Sequence, residues 1–378
     1  MYEYLFSIIA FAFLSFTSFT GSEKKEIMYA GTFSERGSKG IYVYQIDRDH
    51  MRFDLLQTVV SKGSPSFVEV SPGGKFLFSA NRIGLKTDEE FGSVTSFSID
   101  PITGKLTKIH DQSSFGVSPC HVSVHPSGKY LIVCHYKGAN IAVLPVDENG
   151  KIGEATDNIH LEGKGTIMPQ QSQPHPHSAI PSADGRFIYV SDLGQDKILI
   201  YKFDASNGKL LPGDQPFVRT MPGSGPRHFS FHPDGKTAFS SEEISSSISS
   251  YRVNMEDGGL QLIQRLSALP PAFFGDNSSA DVHTAIEGKY VYISNRGYNG
   301  LAMFEVSGSG QMKNIGYMPT TGSTPRAFLP DPEGKFLLVG NRESDEIVLF
   351  IFEKDGTLKD TRTHLPVPGN SCIKILQM

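Results

Sequence analysis

Arg227, His228, Glu242 and Glu243 are the residues in this chain whose types and spacing most directly suggest chemistry. They sit in the stretch GPRHFSFHPDGKTAFSSEEISSSISSYR, residues 225–252. Alternating apolar residues on both sides of His232-Pro233-Asp234-Gly235 predict two strands and a tight turn. In an antiparallel hairpin the start of one strand meets the end of the other. Arg227 and His228 should therefore meet Glu242 and Glu243 at the end away from the turn. A carboxylate beside a guanidinium and an imidazole can take a proton and stabilise an oxyanion.

The elements that position this cluster recur. Aligning the chain on the turn Gly-Lys/Arg gives six copies, at Lys75, Lys129, Arg186, Lys236, Lys289 and Lys335, spaced 54, 57, 50, 53 and 46 residues apart. Each is followed by a strand, as in FLFSANR, YLIVCHY and FIYVSDL, and then by another, as in KILIYKF and EIVLFIF. Three or four strands at this period read as β-propeller blades. A seventh blade is split between the termini. Met28–Gly31 and Ile41–Tyr44 match second and third strands, and the tail VPGNSCIKIL (367–376) matches a first strand. The expected fold is all-β, a seven-bladed β-propeller closed by the C-terminal strand, over residues 23–378 as a single domain. Two long connections, 161–176 and 266–281, should lie over the same rim.

The repeat register extends the cluster to a whole rim. Positions nine and eight before the turn Lys/Arg start the inner strands and give His121, His177, Arg227, His228, Asp281 and Arg326. Positions six and seven after it end the second strands and give Asn81-Arg82, Glu242-Glu243, Asn295-Arg296 and Asn341-Arg342. His283, two residues beyond Asp281, faces the same side of its strand. Such a density of Arg, His and carboxylate exceeds what packing a channel requires. The Asn-Arg pairs can equally be a cap favoured by the repeat. The His-Pro dipeptides at His125 and His232 read as turn residues. His175 and His177 form an H-x-H pair without a partner set for a metal.

Composition bounds the alternatives. The chain has 378 residues, 38% hydrophobic and 20% charged, with 38 Gly and 23 Pro, as many short strands and turns require. A net charge of −5 without a basic stripe argues against nucleic acid or an anionic membrane as partner. Three cysteines, Cys120, Cys134 and Cys372, suit small buried strand residues. The apolar run Leu5–Phe19, followed by small residues and then Glu23-Lys24-Lys25-Glu26, is expected as a signal peptide over 1–22. It directs a periplasmic or secreted location, with no stable membrane insertion after processing; otherwise the protein is cytoplasmic. A monomer or weak dimer is expected.

The motifs PHPHSAIPSADGRFIYVSDLGQDKI, GPRHFSFHPDGKTAF…EEISSSISSY, ADVHTAIEGKYVYISNR and TPRAFLPDPEGKFLLVGNRESDEI together resemble the seven-bladed propeller lactonases. That family includes propeller-type 6-phosphogluconolactonases and fungal carboxymuconate lactonising enzymes. The resemblance implies hydrolysis of a sugar lactone, with His177, Arg227, Glu243 and Arg296 as catalytic residues. His121, His228, Asp281, His283 and Arg326 are expected to bind the substrate. No metal or other cofactor is required. Glu243 or His177 suits the base, and the arginines can stabilise an oxyanion or hold a substrate anion. A lactone-forming isomerase and a non-catalytic binding propeller are the rival readings. A phosphorylated substrate fits the cytosol, whereas an exported protein fits an unphosphorylated one.

Overall fold

The computed structural model describes residues 25–61, 63–82 and 91–378. The expected leader over 1–22 lies outside them. Seven four-stranded antiparallel sheets form the blades, each running from inner to outer strand. Blade 1 is Pro65–Val70, Phe76–Asn81, Phe91–Ile99 and Leu106–Val117. Blade 2 is Pro119–Val124, Tyr130–His135, Asn140–Pro145 and Asp157–His160. Blade 3 is Pro176–Pro181, Phe187–Asp192, Lys197–Asp204 and Lys209–Arg219. Blade 4 is Pro226–Phe231, Thr237–Glu242, Ser247–Val253 and Leu260–Ser267. Blade 5 is Ser278–Ala285, Tyr290–Arg296, Gly300–Val306 and Met312–Pro319. Blade 6 is Pro325–Pro330, Phe336–Asn341, Glu346–Phe352 and Leu358–Pro366. Blade 7 takes its inner strand, Asn370–Gln377, from the C-terminus and its others, Glu26–Thr32, Gly40–Asp47 and Arg52–Val60, from the N-terminus.

Closure by the C-terminal strand is as expected, with Gly31 opposite Cys372, Ala30 opposite Ile373 and Met28 opposite Ile375. The inner strands touch in sequence around the axis, and that of blade 7 meets those of blades 6 and 1. Seven apolar layers fill the seven interfaces between blades, which is why each strand carries bulky residues on both faces. The six alignment turns share one geometry. Gly74, Gly128, Gly185, Gly235, Gly288 and Gly334 have φ of 71°, 72°, 73°, 68°, 86° and 70°. Glycine holds this left-handed conformation at little cost, which explains its recurrence in the sequence.

His125 does more than turn the chain. It is buried, its Nε2 lies 2.8 Å from the Gly185 carbonyl oxygen, and its ring packs 4.4 Å from that of Phe203. It thus pins blade 2 to blade 3. The cysteines are all free and buried.

Candidate active site

An irregularity shared by all seven inner strands builds the site. In each, the ladder to the second strand is interrupted by a bulge near its start. Pro176 pairs with Asp192 and Ser178 with Ser191, so His177 is the extra residue. Cys120 and Arg326 are the extra residues of blades 2 and 6 in the same way. Arg227 and His228 together oppose Ser241 in blade 4. A bulge bends the strand and re-aims the side chain at it. The position nine before the turn Lys/Arg is this bulge residue.

The ends of the second strands divide into two roles. Position six after the turn is structural. Asn81 donates to Ser93 and Thr95, and Asn295 donates to the Ala268 carbonyl. Glu242, 1% exposed, receives Ser249 Oγ at 2.6 Å and Arg265 Nε at 2.6 Å. Position seven faces the axis. Arg82, Tyr136, Glu243, Arg296 and Arg342, with Cys120, His177 and Arg326, line one cavity of about 230 Å³. Glu242→Ala should therefore act on stability. Arg265 keeps some solvent contact, so a loss of about 2–3 kcal/mol is expected in a denaturant titration.

Glu243 is the charge centre of this cavity. Its Oε2 lies 2.8 Å from Arg227 Nε and 2.8 Å from Arg296 Nη2. Among the described residues no hydrogen bond falls on Oε1. Gly225, at φ 64°, turns the chain so that its carbonyl accepts the Glu243 N–H at 2.7 Å. Arg296 is aimed by the carbonyls of Ser278 and Ser279, at 3.2 and 2.9 Å. Burial pushes the Glu243 carboxyl upward, but Arg296, Arg227 and Arg326 outweigh it and hold it below the usual carboxylate range.

Arg227 sits behind Glu243. It is 1% exposed and does not line the cavity. It donates to the Ala280 carbonyl at 2.8 Å, and its pKa is lowered to about 10 by burial and by Arg296. The geometry thus makes Arg227 a holder of the carboxylate, while Arg296 reaches the cavity. His177 is buried with no partner on Nδ1. Burial, then Arg227 and His228, lower its pKa well below the ordinary imidazole value, so it is neutral at neutral pH.

Three of the four predicted catalytic residues, His177, Glu243 and Arg296, share the cavity, with Arg227 directly behind. Of the five expected substrate-binding residues, Arg326 alone lines it. His121, His228, Asp281 and His283 line a second axial cavity together with Phe67 and Lys374. There Asp281 Oδ1 lies 2.7 Å from His228 Nδ1, and Oδ2 lies 3.2 Å from His283 Nε2. The backbone N–H groups of Val282 and Phe328 complete its shell. His121 packs 4.3 Å from the Phe67 ring. The reason is the pleat: residues eight before the turn point into the channel below the bulge, away from its mouth. His228 therefore turns from the Arg227–Glu243 cluster and bonds to Asp281.

Arg82 and Arg342, which the sequence left between a structural cap and the site, line the cavity, and so do Tyr136 and Cys120, which were not among the expected site residues. The signal was present, since all four occupy the repeat positions that yield Glu243, Arg296 and His177. Both long connections lie on this face. Gln171, fully buried, donates to the Leu193 carbonyl at 2.9 Å, and Asn277 donates to Ser246 Oγ at 2.8 Å. A larger groove of about 690 Å³, lined by Lys236, Arg252 and Met255 among others, opens on the opposite face. None of the candidate residues reaches it. Among the described residues no group of three His, Cys, Asp or Glu side chains is arranged to hold a metal ion.

A carboxylate clamped between guanidiniums at the axis of seven blades defines a propeller equipped for acid–base chemistry on a small molecule. The chain belongs to the lactonase seven-bladed β-propeller family, whose model matches residues 27–375. It is 34% identical over 356 residues to a 6-phosphogluconolactonase of Formosa agariphila, covering 92% of this chain and 99% of that one. A 6-phosphogluconolactonase of Bacillus subtilis is 32% identical over 355 residues, covering 93% and 99%. Among solved structures, the periplasmic gluconolactonase of Pseudomonas aeruginosa superimposes with a TM-score of 0.87 at 29% identity, covering 93% of this chain and 99% of that one.

Proposed function

We propose that the protein hydrolyses a sugar lactone to its hydroxy acid, with Glu243 as the base. The observation that carries this reading is the Glu243 carboxylate, ionised beside Arg227 and Arg296 and lining the cavity. Oε1 takes a proton from water while the water oxygen adds to the lactone carbonyl carbon. Arg296 faces the negative charge that develops on the carbonyl oxygen, a contribution of about 3 kcal/mol for one well-placed donor. The ring C–O bond then breaks, and the proton held by Glu243 passes to the departing ring oxygen. Neutral His177 lies beside this path and can relay that proton. Arg227 acts through Glu243 as a positioning residue. The lactonase names of the relatives support the substrate class.

An exported location belongs to the same proposal. It rests on the apolar run Leu5–Phe19 and on the likeness to a periplasmic gluconolactonase.

The test is a substrate panel on the purified full chain, read by acid release with and without a chelator. Turnover of a sugar lactone, unchanged by the chelator, is the expected result. Activity lost to the chelator and restored by a divalent ion would overturn the metal-free scheme. Conversion of a dicarboxylated diene acid, with no lactone opened, would assign the isomerase reaction instead.

A further inference from the structure

The face opposite the catalytic cavity carries a pocket of about 280 Å³ between blades 3 and 4. Phe187, Tyr189, Phe231 and Met255 give it an apolar wall, with Ser182 and Gly235 among its polar members. The internal repeat shows what this space holds elsewhere. Ser182 occupies the position of His125 in blade 2 and of His232 in blade 4. Each of the three takes a backbone bond to the carbonyl five residues on, that of Phe187, Tyr130 or Thr237.

His125 reaches across to the next blade. Its Nδ1 accepts the Ser127 N–H at 3.2 Å, so Nε2 carries the proton and donates to the Gly185 carbonyl at 2.8 Å. Its ring lies 4.4 Å from that of Phe203. In blade 4 the counterpart of Gly185 is Gly235, with φ of 73° and 68°. The counterpart of Phe203 is Val253, since one donates its N–H to the Arg186 carbonyl and the other to that of Lys236. Between blades 3 and 4 a serine thus stands for the imidazole, and a valine for the phenyl ring it meets.

The turns register the difference. A Cβ built on Gly185 or Gly288 would strike Nε2 of His125 or His232. On Gly235 its nearest neighbour would be the Met255 methyl, at 3.5 Å. Gly128, preceded around the ring by Ser71 at the same position, is open as well, so the gap goes with the serine. Ser182 does not span it, because its Oγ donates to Asp184 Oδ1 at 2.7 Å and accepts the Phe187 N–H at 3.0 Å.

We infer that this pocket binds a planar heteroaromatic molecule of indole size, through an N–H donated to the Gly235 carbonyl. The class follows from the ring that fills the same place between blades 2 and 3, which is flat and donates from one ring nitrogen. Space for both an imidazole and its phenyl neighbour calls for a fused pair of rings. The wall suits one, since Tyr189 and Phe231 already meet edge to face at 5.3 Å. A mostly apolar pocket with a few fixed polar groups is the usual form of a small-molecule site. The chain has no tryptophan, so no second copy of it can supply an indole. Neither the site nor its ligand depends on the reaction proposed above.

The lack of tryptophan also makes the test direct, because indole added to the wild-type full chain is followed by its own fluorescence. Saturable binding is expected, with a shift of the Met255 methyl resonance, identified by its loss in Met255→Leu. Ser182→His supplies the ring found in blades 2 and 4 and should abolish indole binding while the protein melts cooperatively. Because Ser182 also braces its turn, Val253→Phe fills the same space without touching that turn and should do the same. Benzofuran keeps the shape but lacks the N–H, and should bind roughly 3–10-fold more weakly, the worth of one hydrogen bond. No saturable binding to the wild type, or binding that survives in both filled variants, would overturn the site. Benzofuran bound as tightly as indole would overturn the N–H contact and with it the class of ligand.

Discussion

Glu243→Gln is expected to lower kcat by roughly 10²–10⁴-fold while leaving the fold intact. The amide keeps the shape of the side chain and its place beside Arg227 and Arg296, but it cannot take a proton from water. The pH profile of the wild-type enzyme checks the same assignment. The active form is the carboxylate, and its folded pKa is depressed by the surrounding arginines despite burial. The rate is therefore retained as pH falls through the usual glutamate value of about 4.3 and declines only below it. An acid limb near neutrality would fit neither Glu243 nor His177, since both are depressed. Normal turnover in Glu243→Gln with none in His177→Ala would transfer the base to the histidine. If neither change matters, the cavity binds without catalysing. His50, an exposed turn residue on the opposite face, is the control. His125 is unsuitable, because its ring holds two blades together.

Deleting residues 367–378 should abolish the soluble monomer. The deletion removes the inner strand of blade 7 and leaves Glu26–Thr32 as an open edge, a template for pairing with other chains. It also strips Cys372 and Ile373 from the apolar layers on either side of that blade. Burying one such large side chain is worth about 1.5–3 kcal/mol, against a typical folding margin of about 5–15 kcal/mol. Seven ladder pairings go with them, as does the bond from Ser371 Oγ to the Ser66 carbonyl. Size-exclusion chromatography and thermal melting decide the matter. A truncated chain that stays monomeric and melts as the full chain does would mean that the ring holds without its closing strand.

Much of this is local in origin, which is why it was legible in the sequence. A turn that needs φ > 0 needs glycine, and six such turns set the blade period. Strands packed on both faces need apolar runs, so the second strands stood out. A missing first strand at one end and a spare strand at the other implied closure. The repeat register also carried His177, Arg227, Glu243 and Arg296 to one rim, because equivalent positions in equivalent blades face the axis alike.

Tertiary structure decided what the register left equal. Adjacent residues at the strand ends, such as Glu242 and Glu243, differ only in the face they take. Packing against Arg265 and Ser249 makes the first a structural ion pair, and the axis makes the second a reactive carboxylate. Bulges lift Cys120, His177 and Arg326 to the mouth of the channel, while the pleat drops His121, His228, Asp281 and His283 below it. A bulge is a mismatch between two strands, and no single strand's periodicity records it. The grouping of Arg82, Arg326 and Arg342 about Phe33 lies further still from the linear chain. These residues, drawn from blades 1, 6 and 7, become neighbours only when the last strand pairs with the first and the ring closes.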